Sequence, residues 1–260
     1  MGSLGKKKST TSSKPIVDTI PEKGEKSDAL IDEVEYDKSR TYEEFTDTPK
    51  DGWNYKGTDT DEVEFFKEHS NYEDLIEHMN FTERQAFRVW AQGEFMDGQQ
   101  YGKFTDMDKY NQELTKVYDK CLDQATLDTG IVVTRRATPQ LLGLPKHSKP
   151  TLEQLQALRG GTVECKANMS CGAAKHGLTI GHDSEKNIEY VIHIAGGTKG
   201  AGMWIGDSRI NGWKGMQREF MTNRNSVYAV GRTTEGHDSV GTKVYRVHLY
   251  YIGRTEHNYD

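Results

Sequence analysis

The apolar residues of this chain change their period close to Gly130. Upstream they recur every three or four positions. Tyr110, Leu114, Val117, Cys121 and Ala125 make one stripe of a predicted amphipathic helix from about Asp108 to Ala125. Downstream they alternate. Ile188, Tyr190, Ile192 and Ile194 are separated by polar neighbours, as are Tyr245, Val247, Leu249 and Tyr251, the pattern of half-buried strands. Helices gathered in one part and strands in the other predict an α+β class, not a doubly wound α/β fold.

Other elements follow from shorter signals. Val63, Phe65 and Phe66 predict one helix, and Tyr72, Leu75, Ile76 and Met79 a second. Thr82-Glu83-Arg84-Gln85 reads as a capping box ahead of Ala86, Phe87, Val89 and Trp90. A glycine-punctuated loop spans Gly93 to Gly102. Ile131 to Thr134 reads as a buried strand leading into Arg135-Arg136. A short helix over Thr151 to Arg159 is stopped by Gly160-Gly161. Thr162 to Ala167 alternates, glycines 196 to 202 turn the chain into Met203-Trp204-Ile205, and Asn223-Arg224-Asn225 turns it into Val227 to Val230.

Composition divides the chain in two. Only 34% of its 260 residues are hydrophobic and the mean hydropathy is -0.82, low for one compact domain. Residues 1–59 are rich in Lys, Ser, Thr, Asp and Glu and hold few apolar side chains. Such a stretch cannot bury enough surface to offset the entropy of ordering it, so it is expected to be a disordered charged tail, with residues 60–260 as the domain. Lys6-Lys7-Lys8 is not followed by an apolar run, so it is not a secretory signal, and no stretch approaches the length of a membrane span.

Function classes are narrowed by what is missing. The net charge of -6 makes nucleic acid an unlikely partner. Three cysteines without a C-x-x-C, and scattered histidines, predict neither a disulfide framework nor a metal site, and fit a reducing compartment. Neither G-x-G-x-x-G after a strand nor a P-loop motif occurs.

Chemistry is suggested by Gln217-Arg218-Glu219, just beyond a loop with Trp213 between Gly212 and Gly215. Side chains at i and i+2 of a strand share a face, so an amide and a carboxylate would project together. Taken alone, the triplet equally describes a solvated edge strand. It gains weight from Val133-Thr134-Arg135, a strand-end arginine, and from Asn168-Met169-Ser170-Cys171-Gly172, a serine-bearing turn.

Arginine, serine and Gln-x-Glu in this order resemble the arginine–serine–glutamate class of mono-ADP-ribosyltransferases, which includes many bacterial toxin domains. The resemblance covers about residues 62 to 253. Arg135 through Gly143 is similar to that class's strand-end arginine with its Pro and Leu-Gly loop. Gly197-Thr198-Lys199-Gly200 is similar to its Pro-Lys-Gly turn, and Thr222-Asn223-Arg224 to its Leu-Pro-Arg-Gly turn. Gln217 in place of the first glutamate is most similar to the clostridial Rho-modifying exoenzymes. Two positions depart from the pattern: Ser170-Cys171-Gly172 stands where Ser-Thr-Ser is usual, and Arg136 replaces a usual glycine.

The resemblance implies an ADP-ribosyltransferase-like fold, with N-terminal helices packed on a mixed or antiparallel two-sheet core. It implies NAD as the ADP-ribose donor, no metal, and a target protein as acceptor. Arg135 would bind the pyrophosphate, with Arg136 as the alternative. Glu219 would stabilise an oxocarbenium-like transition state through the ribose, and Ser170 would orient it. Gln217 would hold the acceptor, Asn or Gln in preference to Arg, and Trp213 would recognise it. Tyr101 or Phe104 would cover the nicotinamide. The enzyme would act in the cytoplasm, or in a target cell after delivery by a phage particle or a secretion machine. The alternatives are a virion-associated structural or interaction protein with a degenerate fold, an NAD glycohydrolase, or a nucleic-acid ADP-ribosyltransferase.

Overall fold

A computed structural model describes residues 60–92, 103–172, 187–211, 219–237 and 242–260. The charged segment 1–59, the loop with Tyr101, and Trp213 and Gln217 lie outside the described residues.

Among the described residues, four α-helices come first: α1 (Thr60–His69), α2 (Tyr72–His78), α3 (Phe81–Gln92) and α4 (Lys109–Leu122). The cap of α3 lies two residues earlier than the sequence predicts. Asn80 and Glu83 form the box, each accepting the other's backbone N–H at 2.9 Å. Asn at the N-cap with Glu three residues on satisfies two helix-end donors, so Asn80 displaces Thr82. Asp108 caps α4 by accepting the Asn111 N–H. The predicted stripe of α4 holds except at its start. Leu114, Cys121 and Ala125 are buried and Val117 packs against the core, while Tyr110 is 61% exposed. Tyr110 falls in the first turn of α4, ahead of its first buried apolar position.

Ten strands follow among the described residues, with two short α-helices, α5 (Leu152–Gln156) and α6 (Ser208–Asn211), between them. Two are small: β1 (Thr126–Leu127) pairs antiparallel with β6 (Thr198–Lys199). The rest are β2 (Ile131–Ala137), β3 (Thr162–Cys165), β4 (Met169–Gly172), β5 (Ile188–Ile194), β7 (Gly202–Trp204), β8 (Glu219–Thr222), β9 (Ser226–His237) and β10 (Lys243–Arg254). They form one ladder in the order β3-β9-β10-β5-β2-β4-β8-β7. Its pairs are antiparallel except β5 with β10.

The ladder is two sheets joined at one point. Strand β2 pairs with β5 along all seven residues. Toward β4 the register among the described residues is the single pair Thr134 and Gly172. A five-strand sheet therefore meets a three-strand sheet where Arg135 follows Thr134. The predicted half-buried strand 188–194 is a central strand, with Glu189 and Val191 buried as well as the isoleucines. Its neighbours β2 and β10 protect both edges.

The helices cover the three-strand sheet. Phe66 of α1 stacks on Trp204 and Phe220 at 5.4 and 6.1 Å between centroids. Tyr72 of α2 meets Trp204 edge-on. Helix α3 is bound to α4 through Tyr118, whose hydroxyl donates to the Ala86 carbonyl at 2.7 Å. Among the described residues, no helix is long and apolar enough to cross a membrane.

Candidate active site

Glu219 opens β8 opposite Gly172 of β4, and Ser170 of β4 lies opposite Met221. Cross-strand partners share a face, as do residues two apart. Glu219, Gly172, Ser170 and Met221 therefore lie on one face of the three-strand sheet. Ser170 is in a strand and not in the predicted turn, because 169–172 pairs residue for residue with β8.

Glu219 is 2% exposed. A carboxylate so deeply placed needs donors, and Trp90 of α3 supplies one: its indole N–H donates to Glu219 Oε1 at 2.7 Å. In the sequence Trp90 belongs to the apolar run that follows the capping box, and in the structure it is buried. Nothing in the local sequence connects it with a glutamate 129 positions away.

Arg135 connects the two sheets. Its Nη1 donates to the Ser170 carbonyl at 3.1 Å. In the five-strand sheet, Arg135 is opposite the buried Tyr190 and Arg136 is opposite Glu189. Adjacent residues of a strand point to opposite faces, so the two arginines part company. Arg135 shares the face of Ile131 and Val133, and Arg136 the face of Glu189, which Arg246 holds through Nε at 2.6 Å.

The turn after β8 is pinned from several sides. Asn223 donates through Nδ2 to Asp123 Oδ1 at 2.7 Å and to the Gly200 carbonyl at 3.1 Å. The buried Arg224 forms a fork on Asp119, Nε to Oδ1 at 2.8 Å and Nη2 to Oδ2 at 2.7 Å. Asn225 adopts φ +60, a left-handed conformation that Asn tolerates better than other side chains. Phe104 packs beside this turn. It is buried, edge-on to Tyr259 at 5.0 Å, with the Arg224 guanidinium 6.0 Å from its ring.

Burial disfavours the thiolate form of two of the thiols. Burial pushes Cys171 up to about 12, against a lowering by Arg135, and burial does the same to Cys121. Among the described residues, no group of three or more His, Cys, Asp or Glu side chains could hold a metal.

No protein-family model matches the chain, and no curated protein sequence does. Solved structures do. Plx2a, an ADP-ribosyltransferase toxin from Paenibacillus larvae, aligns with a TM-score of 0.61 at 12% identity, covering 75% of this chain and 96% of that one. C3stau2 from S. aureus, solved with NAD, aligns at 0.59 and 12% identity over 82% of this chain and 99% of that one. The Clostridium limosum C3 exoenzyme aligns at 0.56 and 15% identity over 81% and 98%. At these identities the likeness is one of fold: the described part of the chain has the fold of ADP-ribosyltransferase toxins.

Proposed function

We propose that this chain is an NAD-dependent mono-ADP-ribosyltransferase that modifies a protein. The observation that carries the reading is that Arg135 of β2 donates to the Ser170 carbonyl of β4, while β8 pairs with β4 so that Glu219 shares the face of Ser170. Their separation of 35 residues between the first two, and their places on three different strands, make it a product of the fold and not of local sequence. The fold likeness to toxins solved with NAD or NADH supports it.

In this reading NAD is a substrate. Its pyrophosphate lies against Arg135, whose planar guanidinium suits a pair of phosphate oxygens. The bond from ribose C1' to nicotinamide breaks, and nicotinamide leaves with the electron pair. Positive charge develops on the ribose, and the Glu219 carboxylate stabilises it through the 2'-hydroxyl. An acceptor nitrogen then bonds to C1' and gives up a proton. Ser170 supports Glu219 from the neighbouring strand. Gln217 and Trp213 hold the acceptor, an Asn or Gln side chain in preference to Arg. The reaction takes place in cytoplasm, either of the producing cell or of a target cell that receives the protein.

The test is turnover of labelled NAD in the presence of a cell lysate, wild type beside Glu219→Gln. A discrete labelled protein that vanishes with the variant is the expected result, with a rate loss on the order of 100- to 1000-fold. Mass spectrometry of the labelled protein decides the acceptor, and ADP-ribosyl-arginine alone refutes the amide preference. Nicotinamide release without labelled protein makes the chain a glycohydrolase.

A second reading is a binding module that keeps the fold without turnover. It is favoured by Gly172, which places no side chain opposite Glu219, and by the depth of that carboxylate. NAD binding by a folded protein that releases no nicotinamide would establish it.

A further inference from the structure

We propose that Trp90 is the positioning residue for Glu219, its indole N–H fixing the orientation of the carboxylate that serves the transferase reaction. The inference rests on the transferase reading for its catalytic consequence, but the contact itself is a property of the fold. Glu219 lies at the first position of β8, where strand pairing constrains the backbone but leaves the outer carboxylate torsion broad. The residue opposite it, Gly172, carries no side chain that could hold it. The indole does so at 2.7 Å, a short bond for a neutral N–H and a carboxylate oxygen.

The donor is itself held from behind. Trp90 lies in the last turn of α3 and packs edge-on against Tyr118, with centroids 5.7 Å apart. Phe87, one turn earlier, meets the same ring at 5.4 Å. The Tyr118 hydroxyl donates to Ala86 of α3, so α4 fixes the end of α3 at three adjoining points. The start of α3 is fixed as well, by the Asn80–Glu83 box and by Lys120 of α4 on Glu83 Oε1 at 2.5 Å. A group set on two mutually braced helices holds its partner more closely than one on a loop.

The choice of side chain also matters. An indole N–H donates and cannot accept, and it does not titrate in the working range. It can therefore orient a carboxylate without protonating it or offering a second, competing hydrogen-bonding mode. A hydroxyl in the same place could rotate and accept instead. With Oε1 fixed, rotation about the terminal torsion is arrested, and the carboxylate presents one edge to a ribose hydroxyl. Orientation of this kind lowers the barrier and not the binding energy of the ground state.

Two measurements on the full chain test the proposal. In Trp90→Phe, which keeps an aromatic ring against Tyr118, kcat for NAD cleavage falls about 10- to 100-fold, the range of a lost hydrogen bond to a charged group. The calorimetric Kd and stoichiometry for NAD stay within about two-fold in the same preparation, because the lost contact acts on the transition state. A fall in stoichiometry that matches the fall in kcat would mean misfolding, and unchanged kcat would overturn the proposal.

The second measurement does not need turnover. In ¹⁵N-labelled protein the Trp90 indole resonance, identified by its loss in Trp90→Phe, is expected downfield and protected from solvent exchange. In Glu219→Ala it moves upfield and loses protection. An indole resonance indifferent to Glu219→Ala overturns the contact whatever the activity. Loss of the contact with normal turnover rejects Trp90 alone, whereas an intact contact without any NAD cleavage in wild type rejects the transferase reading.

Discussion

Arg135 and Arg136 are neighbours in the chain and belong to opposite faces of β2. Arg135 reaches the Ser170 carbonyl at the junction of the sheets, while Arg136 lies opposite Glu189 on the far face. The sequence alone leaves either as the pyrophosphate ligand. The fold separates them, and the separation makes a prediction. Arg135→Lys keeps the charge but loses the planar fork, so NAD affinity falls by about 10- to 100-fold. Arg136→Ala leaves it within about two-fold. Calorimetric titration of NAD into both variants checks this, and the reverse order would exchange their roles.

The turn that follows Glu219 depends on Asp119 and Arg224, both buried. Removing one partner leaves an uncompensated charge in the interior, which costs about 3–5 kcal/mol. Arg224→Ala is therefore expected to lower the denaturant midpoint sharply. Tyr259 also donates to Asp119 Oδ2, at 2.9 Å, but Tyr259→Phe leaves the Arg224 fork in place. Its expected cost is about 1 kcal/mol. Urea denaturation of the two variants should separate them clearly, and equal losses would show that the C-terminal contact and not the ion pair holds the turn.

Gly202 of β7 lies against the strand of Glu219. A Cβ there would meet the Met221 carbonyl oxygen at 2.4 Å, Phe220 Cε1 at 2.6 Å and Thr222 Cα at 2.9 Å. Two of the three are backbone atoms, so the sheet and not a flexible side chain must give way. Gly202→Ala is expected to cost about 1–3 kcal/mol or more by overpacking. It should also displace β8, so NAD turnover falls even at temperatures where the variant is folded. Thermal melts and turnover measured together check both parts. A stable, fully active variant would show that β7 does not set the position of β8.

How much of this was legible in the sequence depended on whether the signal was local. The change of period at Gly130 gave α+β, and the alternation of 188–194 and of 245–251 gave β5 and β10. The turn at 223–225 was readable from its asparagines, since Asn225 has to accept a left-handed backbone. Periodicity failed where it had two solutions, as for Tyr110, which matches the stripe of α4 but lies ahead of its first buried apolar position. Capping was misread because Asn80 and Thr82 both look like helix starts. Contacts between distant elements were not legible at all. Trp90 reaching Glu219, and Arg135 reaching the backbone of Ser170, exist because three strands and a helix converge. The packing of Phe104 against Tyr259 and Arg224 is of the same kind.

The last prediction concerns pH. His193 of β5 and His248 of β10 lie side by side, Nε2 to Nδ1 at 2.9 Å, and His193 stacks on Tyr250 at 4.5 Å. Burial pushes His193 down to about 3, helped by His248 and Arg232. Burial pushes His248 down to about 4, helped by Arg232 and Arg246. Both are neutral in the folded chain at pH values where an unfolded histidine, with its ordinary value near 6.5, binds a proton. Between about pH 6.5 and 4 the unfolded state therefore takes up more protons, and stability falls as pH falls. Each histidine contributes a slope of up to about 1.4 kcal/mol per pH unit. Above pH 7 neither state is protonated, and the pair contributes no slope. Urea denaturation at pH 7.5, 6 and 5 should show this decline in wild type. A variant carrying His193→Gln and His248→Gln should show a much shallower one, though it is less stable at pH 7.5. Parallel declines in the two proteins would place the acid sensitivity above pH 5 outside this pair. Carboxylates such as Asp123 and Asp207 act at lower pH. Burial raises both of these, but hydrogen bonds from His257 to Asp123 and from Arg209 to Asp207 bring them below their ordinary values. Their contribution is present above the usual carboxylate range and is lost only below about pH 4, as pH falls through the lowered folded values. The two sources therefore act in different windows, and a loss that begins at pH 6 belongs to the histidines.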